Sequence, residues 1–175
     1  KQFTKRMLSV AEIVAPFTSL LSRYPDKKFV FTVSPVRHTK EGLSDNMLSK
    51  SILRVACGEL VKLNNAHYFP SYEMMLDDLR DYRFYTDDLI HINKQGEDYI
   101  WEKLSETFFN QTTLSLMRQV EKVQRKISHR PFNSNTQSHL DFLEKTLKEL
   151  TILNHTLDYT NELAFVNEQI DKISF

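Results

Sequence analysis

The sequence predicts an α/β domain continued by a helical extension, on three observations. Two short runs of aromatic and β-branched residues, 28–34 and 66–72, alternate with amphipathic helical stretches, the order an α/β sheet requires. After residue 109 the strand-like runs stop and only long, charged helical patterns follow. Between the second run and the next helix, a loop crowded with ionisable groups occupies 81–101. Residues 1–109 are therefore read as the α/β part and residues 110–175 as the helical extension.

Residues 7–24 place Leu8, Ala11, Ile13, Val14, Phe17, Leu20 and Leu21 close to a 3.6 period, which predicts a helix with an inward apolar stripe. Pro16 removes one backbone bond and is expected to kink or divide it, and Tyr24-Pro25-Asp26 ends it. Lys28 to Ser34, closed by Pro35, reads as a buried parallel strand covered on both faces. Residues 34–46 form a polar loop at that strand's carboxyl end, where open α/β sheets build their sites. A second helix is expected over 47–64, with Asp45 or Asn46 as cap and Asn64-Asn65 as stop.

The run 66–72 is the second strand, despite Pro70 near its end. After a loop at 77–93, Lys94 to Phe109 predicts a third helix carrying Tyr99, Ile100, Trp101, Leu104, Phe108 and Phe109. Residues 110–127 and 137–172 are helical, divided by Ser128-His129-Arg130-Pro131-Phe132-Asn133. Leu140, Leu143, Leu147, Leu150, Leu153 and Leu157 recur at spacings of three and four, a stripe suited to an antiparallel helical pair or a partner helix. Two strands do not make a stable sheet, because flanking strands are needed to bury faces and satisfy edges. The chain also starts without Met, and further sequence upstream of Lys1 is expected.

The bulk composition narrows the function classes. With 175 residues, 41% apolar, 12 Phe and 7 Tyr, the chain has enough material for a core. Lys plus Arg and Asp plus Glu both number 23, so no net field recommends nucleic acid or an anionic membrane as partner. No run approaches the roughly 18 apolar residues a membrane helix needs, and Lys-Gln-Phe-Thr-Lys-Arg has no apolar h-region behind it. The one cysteine, Cys57, cannot form an internal disulfide, and a reducing compartment, the cytoplasm, is expected.

The sharpest chemical signal is Asp88-x-x-His91, which precedes Asn93, Gly96 and an aromatic helix. A carboxylate three residues before an imidazole can hold one ring nitrogen while the other points outward as a general base. Taken alone, this spacing more often marks a capping acid and a surface histidine; the setting after a strand favours function. Arg37 and His38 follow the first strand, where a guanidinium can grip a substrate carboxylate or phosphate. The structural alternative is an ion pair of Arg37 with Asp77, Asp78, Asp81 or Asp87, and Arg80 and Arg83 are expected to tie the acidic loop to the sheet.

Other chemistries find little support. The spacing of His38, His67 and His91 matches no zinc motif, so neither metal nor cofactor is expected. Gly42, Gly58 and Gly96 are too far apart for a phosphate loop. Neither Ser34 nor Ser71 sits in a nucleophile elbow, and Ser34 is expected to bond locally in its turn. Cys57 reads as buried packing.

The block around Asp88 and His91 resembles the end of the SGNH, or GDSL-like, hydrolases. More specifically, the chain resembles the GSCFA family through Thr32-Val33-Ser34-Pro35-Val36-Arg37-His38, Ser49-Lys50-Ser51, Tyr68-Phe69-Pro70-Ser71-Tyr72-Glu73, Leu79 to Tyr85 and Asp88-Leu89-Ile90-His91. His129-Arg130-Pro131-Phe132 resembles the start of that family's C-terminal helical extension. The resemblance implies the C-terminal portion of an SGNH-like three-layer α/β/α domain. It further implies that Asp88 orients His91, and that His91 takes the proton of a serine during acyl transfer to or from a small-molecule or carbohydrate ester. The Gly-Ser-Cys-Phe-Ala segment that would supply the serine does not occur in these residues, so the nucleophile is expected upstream. The rival reading is an inactive structural or interaction protein that forms a homo-oligomer through residues 110–172, motivated by the leucine stripe.

Overall fold

The computed structural model describes residues 5–40 and 42–173; residues 1–4 and residue 41 of the polar loop lie outside the described residues. The chain divides into two compact units, Lys1–Thr107 and Phe108–Phe175. The first is mostly helical around a small parallel sheet, and the second is wholly helical among its described residues.

In the first unit α1 spans Val10–Arg23, β1 Phe29–Phe31, α2 Leu43–Leu60, β2 Ala66–Tyr68, α3 Ser71–Leu76 and α4 Lys94–Phe108, with a 3-10 turn at Tyr82–Phe84. Helix α1 starts where Ser9 and Glu12 form a capping box, each side chain accepting from the other's backbone N–H. It runs undivided through Pro16, so of the expected kink or division the division does not occur. Pro16 is solvent-exposed, on the side of a helix where loosened backbone bonds are tolerated. At the other end Asn65 Nδ2 donates to the carbonyls of Leu21 and Tyr24, tying the end of α1 to the residue before β2.

β1 pairs with β2 in parallel, with Val30 opposite His67, as the alternating pattern requires. The expectation of a strand buried on both faces does not hold. Phe29 and Phe31 are half-buried, the latter edge-on to Phe17 of α1, whereas Val30 points to the opposite face and stays 45% exposed. Successive side chains alternate across a strand, and no described element covers Val30's side.

Helix α2 begins earlier than 47, because Gly42 at φ 88° turns the chain into it directly. Asp45 and Asn46 therefore lie inside the helix rather than capping it, and its end falls at Leu60, before Asn64. The run 66–72 is a strand only to Tyr68; Pro70 then leads into α3, an element absent from the sequence expectation. An Arg54–Glu73–Tyr68 cluster joins α2, α3 and β2. Arg54 Nε meets Glu73 at 2.7 Å, Tyr68 Oη donates to both Glu73 oxygens, and the Arg54 guanidinium stacks 4.2 Å above the Tyr68 ring. Burial and the Glu73 bond push the Tyr68 hydroxyl pKa well above its ordinary value. Leu21, Val33, Leu60, Phe69, Met75 and Leu79 are among the buried core side chains.

Ser105 of α4 is buried, and its hydroxyl has no hydrogen-bond partner among the described residues. Ser105→Ala is accordingly expected to raise stability by up to about 1 kcal/mol in urea denaturation, since it removes an unsatisfied polar atom at nearly constant volume.

In the second unit α5 spans Gln111–Ile127, α6 Gln137–Leu153 and α7 Thr160–Asp171. Asn110 caps α5 and Thr136 caps α6. The helical pattern over 137–172 is interrupted at 154–159, where Asn154 Oδ1 accepts from the N–H of Tyr159 and the Tyr159 ring turns inward. Leu143, Leu150 and Leu153 are buried with Val123, Tyr159 and Val166, so the stripe packs within one chain. Lys122 and Lys126 both reach Glu149, at 3.1 and 2.7 Å, joining α5 to α6.

Candidate functional site

Between α3 and α4 the chain makes a tight reversal that brings Asp88 against His91. His91 Nδ1 donates to Asp88 Oδ2 at 2.7 Å. An ionised carboxylate only accepts, so Nδ1 carries the proton and the lone pair of the neutral ring lies on Nε2. The other oxygen, Oδ1, accepts from Thr86 Oγ1 at 2.6 Å and from the backbone N–H groups of Ile90 and His91 at 2.8 and 3.0 Å. Led by the Thr86 hydroxyl and the His91 ring, these donors hold the Asp88 carboxyl far below the ordinary carboxylate range. The pair is open to solvent, with the His91 side chain 62% and Asp88 45% exposed. Exposure at this level makes it a weak source of stability and leaves the imidazole accessible.

The turn owes its shape to local sequence. Thr86 N–H donates to the His91 carbonyl and Tyr85 bridges Ile92 antiparallel, closing the reversal. Asn93 Oδ1 accepts from the N–H of Gly96 while its Nδ2 donates to the carbonyls of Arg83 and Tyr85, so one side chain both caps α4 and holds the preceding turn. Gly96 lets the helix approach the turn closely: a Cβ there would stand 3.3 Å from the Phe84 carbonyl oxygen, which would have to give by a few tenths of an ångström.

Leu89, between Asp88 and His91, adopts φ 57°, the left-handed region that costs a branched L-residue free energy. It is also substantially exposed, so little burial is lost on replacing it. Leu89→Gly is expected to leave stability unchanged or raise it by up to about 1 kcal/mol, whereas the β-branched Leu89→Val should cost about 1–2 kcal/mol. Urea midpoints of the two variants check the pair.

Arg37 belongs to this site. Its backbone N–H donates to the Ile90 carbonyl and its Nη1 to the Leu89 carbonyl, both at 3.2 Å, so it braces the strained turn from the far side. The guanidinium lies 4.1 Å from the Tyr85 ring centroid and 5.6 Å from that of Tyr82. The ion-pair alternative is not what is observed: among the described residues no carboxylate pairs with Arg37. Arg80 and Arg83 likewise do not tie the acidic loop to the sheet. Arg80 bonds Asp77 and the Leu76 carbonyl, and Arg83 reaches Asp81 and the Phe84 ring, all within the same segment.

His38 is directed elsewhere. Its N–H donates to Asn46 Oδ1, and it lines a separate cleft of about 390 Å³ with Lys5, Arg6, Asp45 and Ser49. Ser34 Oγ accepts from the N–H of Val36, the local turn bond the sequence led one to expect. Ser71 Oγ is committed to the Val33 carbonyl at 2.9 Å and to Thr32 Oγ1. No hydroxyl among the described residues is hydrogen-bonded to His91 Nε2. Among these residues, too, no three His, Cys, Asp or Glu side chains converge as metal ligands.

Two contributors escaped the sequence reading. Thr86 is one; a hydroxyl two residues before an acid is a signal, though a common one. Lys50 is the other. It is 1% exposed, and its ammonium donates to the Ser34 carbonyl at 2.6 Å, fixing the end of the segment that carries Arg37. Burial lowers its pKa below the ordinary lysine value.

The family model described as GSCFA family matches residues 1–104. The chain belongs to the GSCFA family. A second model, GSCFA domain protein, C-terminal domain, matches residues 120–172, covering α6, α7 and the C-terminal half of α5. Together the two GSCFA matches take in the Asp88–His91 turn, Arg37, His38 and Lys50 on the one side and the helical unit on the other. No curated protein and no solved structure matches this GSCFA chain. No helix among the described residues is long and apolar enough to cross a membrane.

Proposed function

We propose that this GSCFA chain carries the acid–base half of a serine ester hydrolase or acyltransferase of the SGNH type. Asp88 orients His91, whose Nε2 takes the proton of a serine supplied by polypeptide outside these 175 residues. The serine oxygen attacks the acyl carbonyl, the alcohol leaves with the proton held on His91, and water or a second alcohol then releases the acyl group. The small parallel sheet and its helices are read as one edge of a three-layer α/β/α domain. The substrate is a small-molecule or carbohydrate acyl ester, with Arg37 and His38 as substrate contacts, and the compartment is a reducing one, the cytoplasm.

The observation that carries this reading is the 2.7 Å bond from His91 Nδ1 to an Asp88 whose other oxygen is fixed by three donors. A merely capping acid needs no such preorganised imidazole, and the outward Nε2 is where a nucleophile's hydroxyl would have to arrive. The full polypeptide containing these residues is expected to hydrolyse 4-nitrophenyl acetate and to be labelled on serine by a fluorophosphonate. Failure of both, or a rate indifferent to His91→Ala, would refute the assignment.

The rival reading, assembly of an inactive protein through residues 110–172, needs a surface other than the leucine stripe, because Leu143, Leu150 and Leu153 are buried inside the unit. Sedimentation of the chain with and without residues 134–175 tests it: a homo-oligomer lost on truncation would favour it.

A further inference from the structure

We infer that Arg37 and the tyrosines beneath it form a binding site for a carboxylate borne on a short apolar chain. As a substrate subsite it rests on the hydrolase reading; as a carboxylate site it stands by itself. The guanidinium of Arg37 lies along the faces of Tyr85 and Tyr82 and lines a cleft of about 200 Å³. Stacking of this kind fixes the plane of the guanidinium and leaves its edge N–H groups to point away from the rings. Only Nη1 is engaged by a protein acceptor, the Leu89 carbonyl, so the remaining donors are free among the described residues.

The walls choose the ligand class. Met75, Leu76 and Leu79 supply an apolar side to the cleft, which suits a hydrocarbon chain. The other charges of the lining are paired: Arg80 is held by Asp77 at 2.8 Å, and Asp81 has Arg83 at 3.9 Å. Arg37 is thus, among the described residues, the cation of the lining that has no carboxylate partner, matched to one negative charge; a phosphate dianion would find no second unpaired cation for its other charge. A carboxylate also matches the fork of one guanidinium edge, two parallel N–H groups to two oxygens. The Leu89 carbonyl connects Arg37 to the turn holding Asp88 and His91, so the cleft adjoins the candidate catalytic turn. The substrates that follow are esters carrying a free carboxylate on a short aliphatic arm.

Hexanoate and hexanamide, alike in shape and different in charge, are the probes, titrated into the full chain with the Tyr82, Tyr85 and His91 resonances followed by NMR. Hexanoate is expected to shift the two tyrosines saturably and to bind at least about tenfold more tightly than hexanamide, the difference expected of charge-assisted hydrogen bonds. Arg37→Met should abolish the preference. Equal affinity for the two probes, or a preference that survives Arg37→Met, would overturn the assignment. Should Arg37→Met also move the His91 resonances, Tyr82→Ala decides, because it leaves the Leu89 bond in place. Hexanoate affinity must then fall several-fold with His91 unmoved, and an unchanged affinity refutes the site. Binding is read without any serine, so ester hydrolysis without hexanoate binding would sink this inference alone, and hexanoate binding without hydrolysis would sink the hydrolase reading alone.

Discussion

If the proposed hydrolase reading holds, His91→Ala in the full polypeptide is expected to lower kcat for a simple acetyl ester by about 10³-fold or more, and Asp88→Asn to come close to it. The reasoning for the histidine is that the serine loses its proton acceptor while substrate binding is untouched, so KM should change little. The reasoning for the aspartate rests on what an amide does at 2.7 Å from Nδ1. An amide nitrogen placed there donates a proton, which forces the ring into the tautomer with its lone pair inward and its N–H toward the nucleophile. Asp88→Asn also keeps an oxygen for the Thr86, Ile90 and His91 donors, so the turn should persist and the loss should lie in kcat. Asp88 is held ionised from well below the ordinary carboxylate range upward, so the stabilisation it gives the turn is complete above that range and is lost only as the pH falls through it to the depressed value. Steady-state kinetics of the two variants, with circular dichroism to confirm folding, checks the expectation. An Asp88→Asn enzyme of wild-type rate would leave the pair as a mere turn.

The second large effect concerns the helical unit. Leu150 is 0% exposed at the centre of the cluster that includes Leu143, Leu153 and Val166. Leu150→Ala is expected to cost about 2–5 kcal/mol, the sum of lost transfer free energy and an unfilled cavity. A unit of this size holds on the order of 3–10 kcal/mol in all, so the substitution should abolish or nearly abolish its cooperative transition. Ile152, two residues away on the outer face and largely exposed, serves as the control: Ile152→Ala should stay within about 0.5 kcal/mol. Denaturation followed by far-UV circular dichroism distinguishes the two, and an unaffected Leu150→Ala would mean that the core lies elsewhere.

Much of this was legible because it is local. The helix from Lys94, the helical pattern over 110–127 and the spacing of Asp88 and His91 all act over a few turns of chain, and sequence records such relations directly. What was missed depends on distant partners or on weak competition. Arg37 finds its acceptor 52 residues away on the Leu89 carbonyl, so the nearby abundance of acids was a poor guide. Tyr-Glu-Met-Met after Pro70 carries no long period, and α3 forms as a six-residue piece with Met75 in the core. Helix α2 starts at Gly42 because a glycine can take a positive φ there, which outweighs the capping preference of Asp45 and Asn46. The break at 154–159 reflects Tyr159 turning inward, a packing choice that a leucine count does not contain.

Lys50 brings a different kind of consequence. An amine closed off from water and bonded to the Ser34 carbonyl is out of reach of acylating and reductive-alkylation reagents. Exposed lysines such as Lys27 and Lys62 are expected to be modified well before it. Lys50 can be modified only when α2 lifts from the strand end beside it. Its slow labelling is therefore a clock, built into the chain without any introduced probe, for how often the segment that carries Arg37 comes loose.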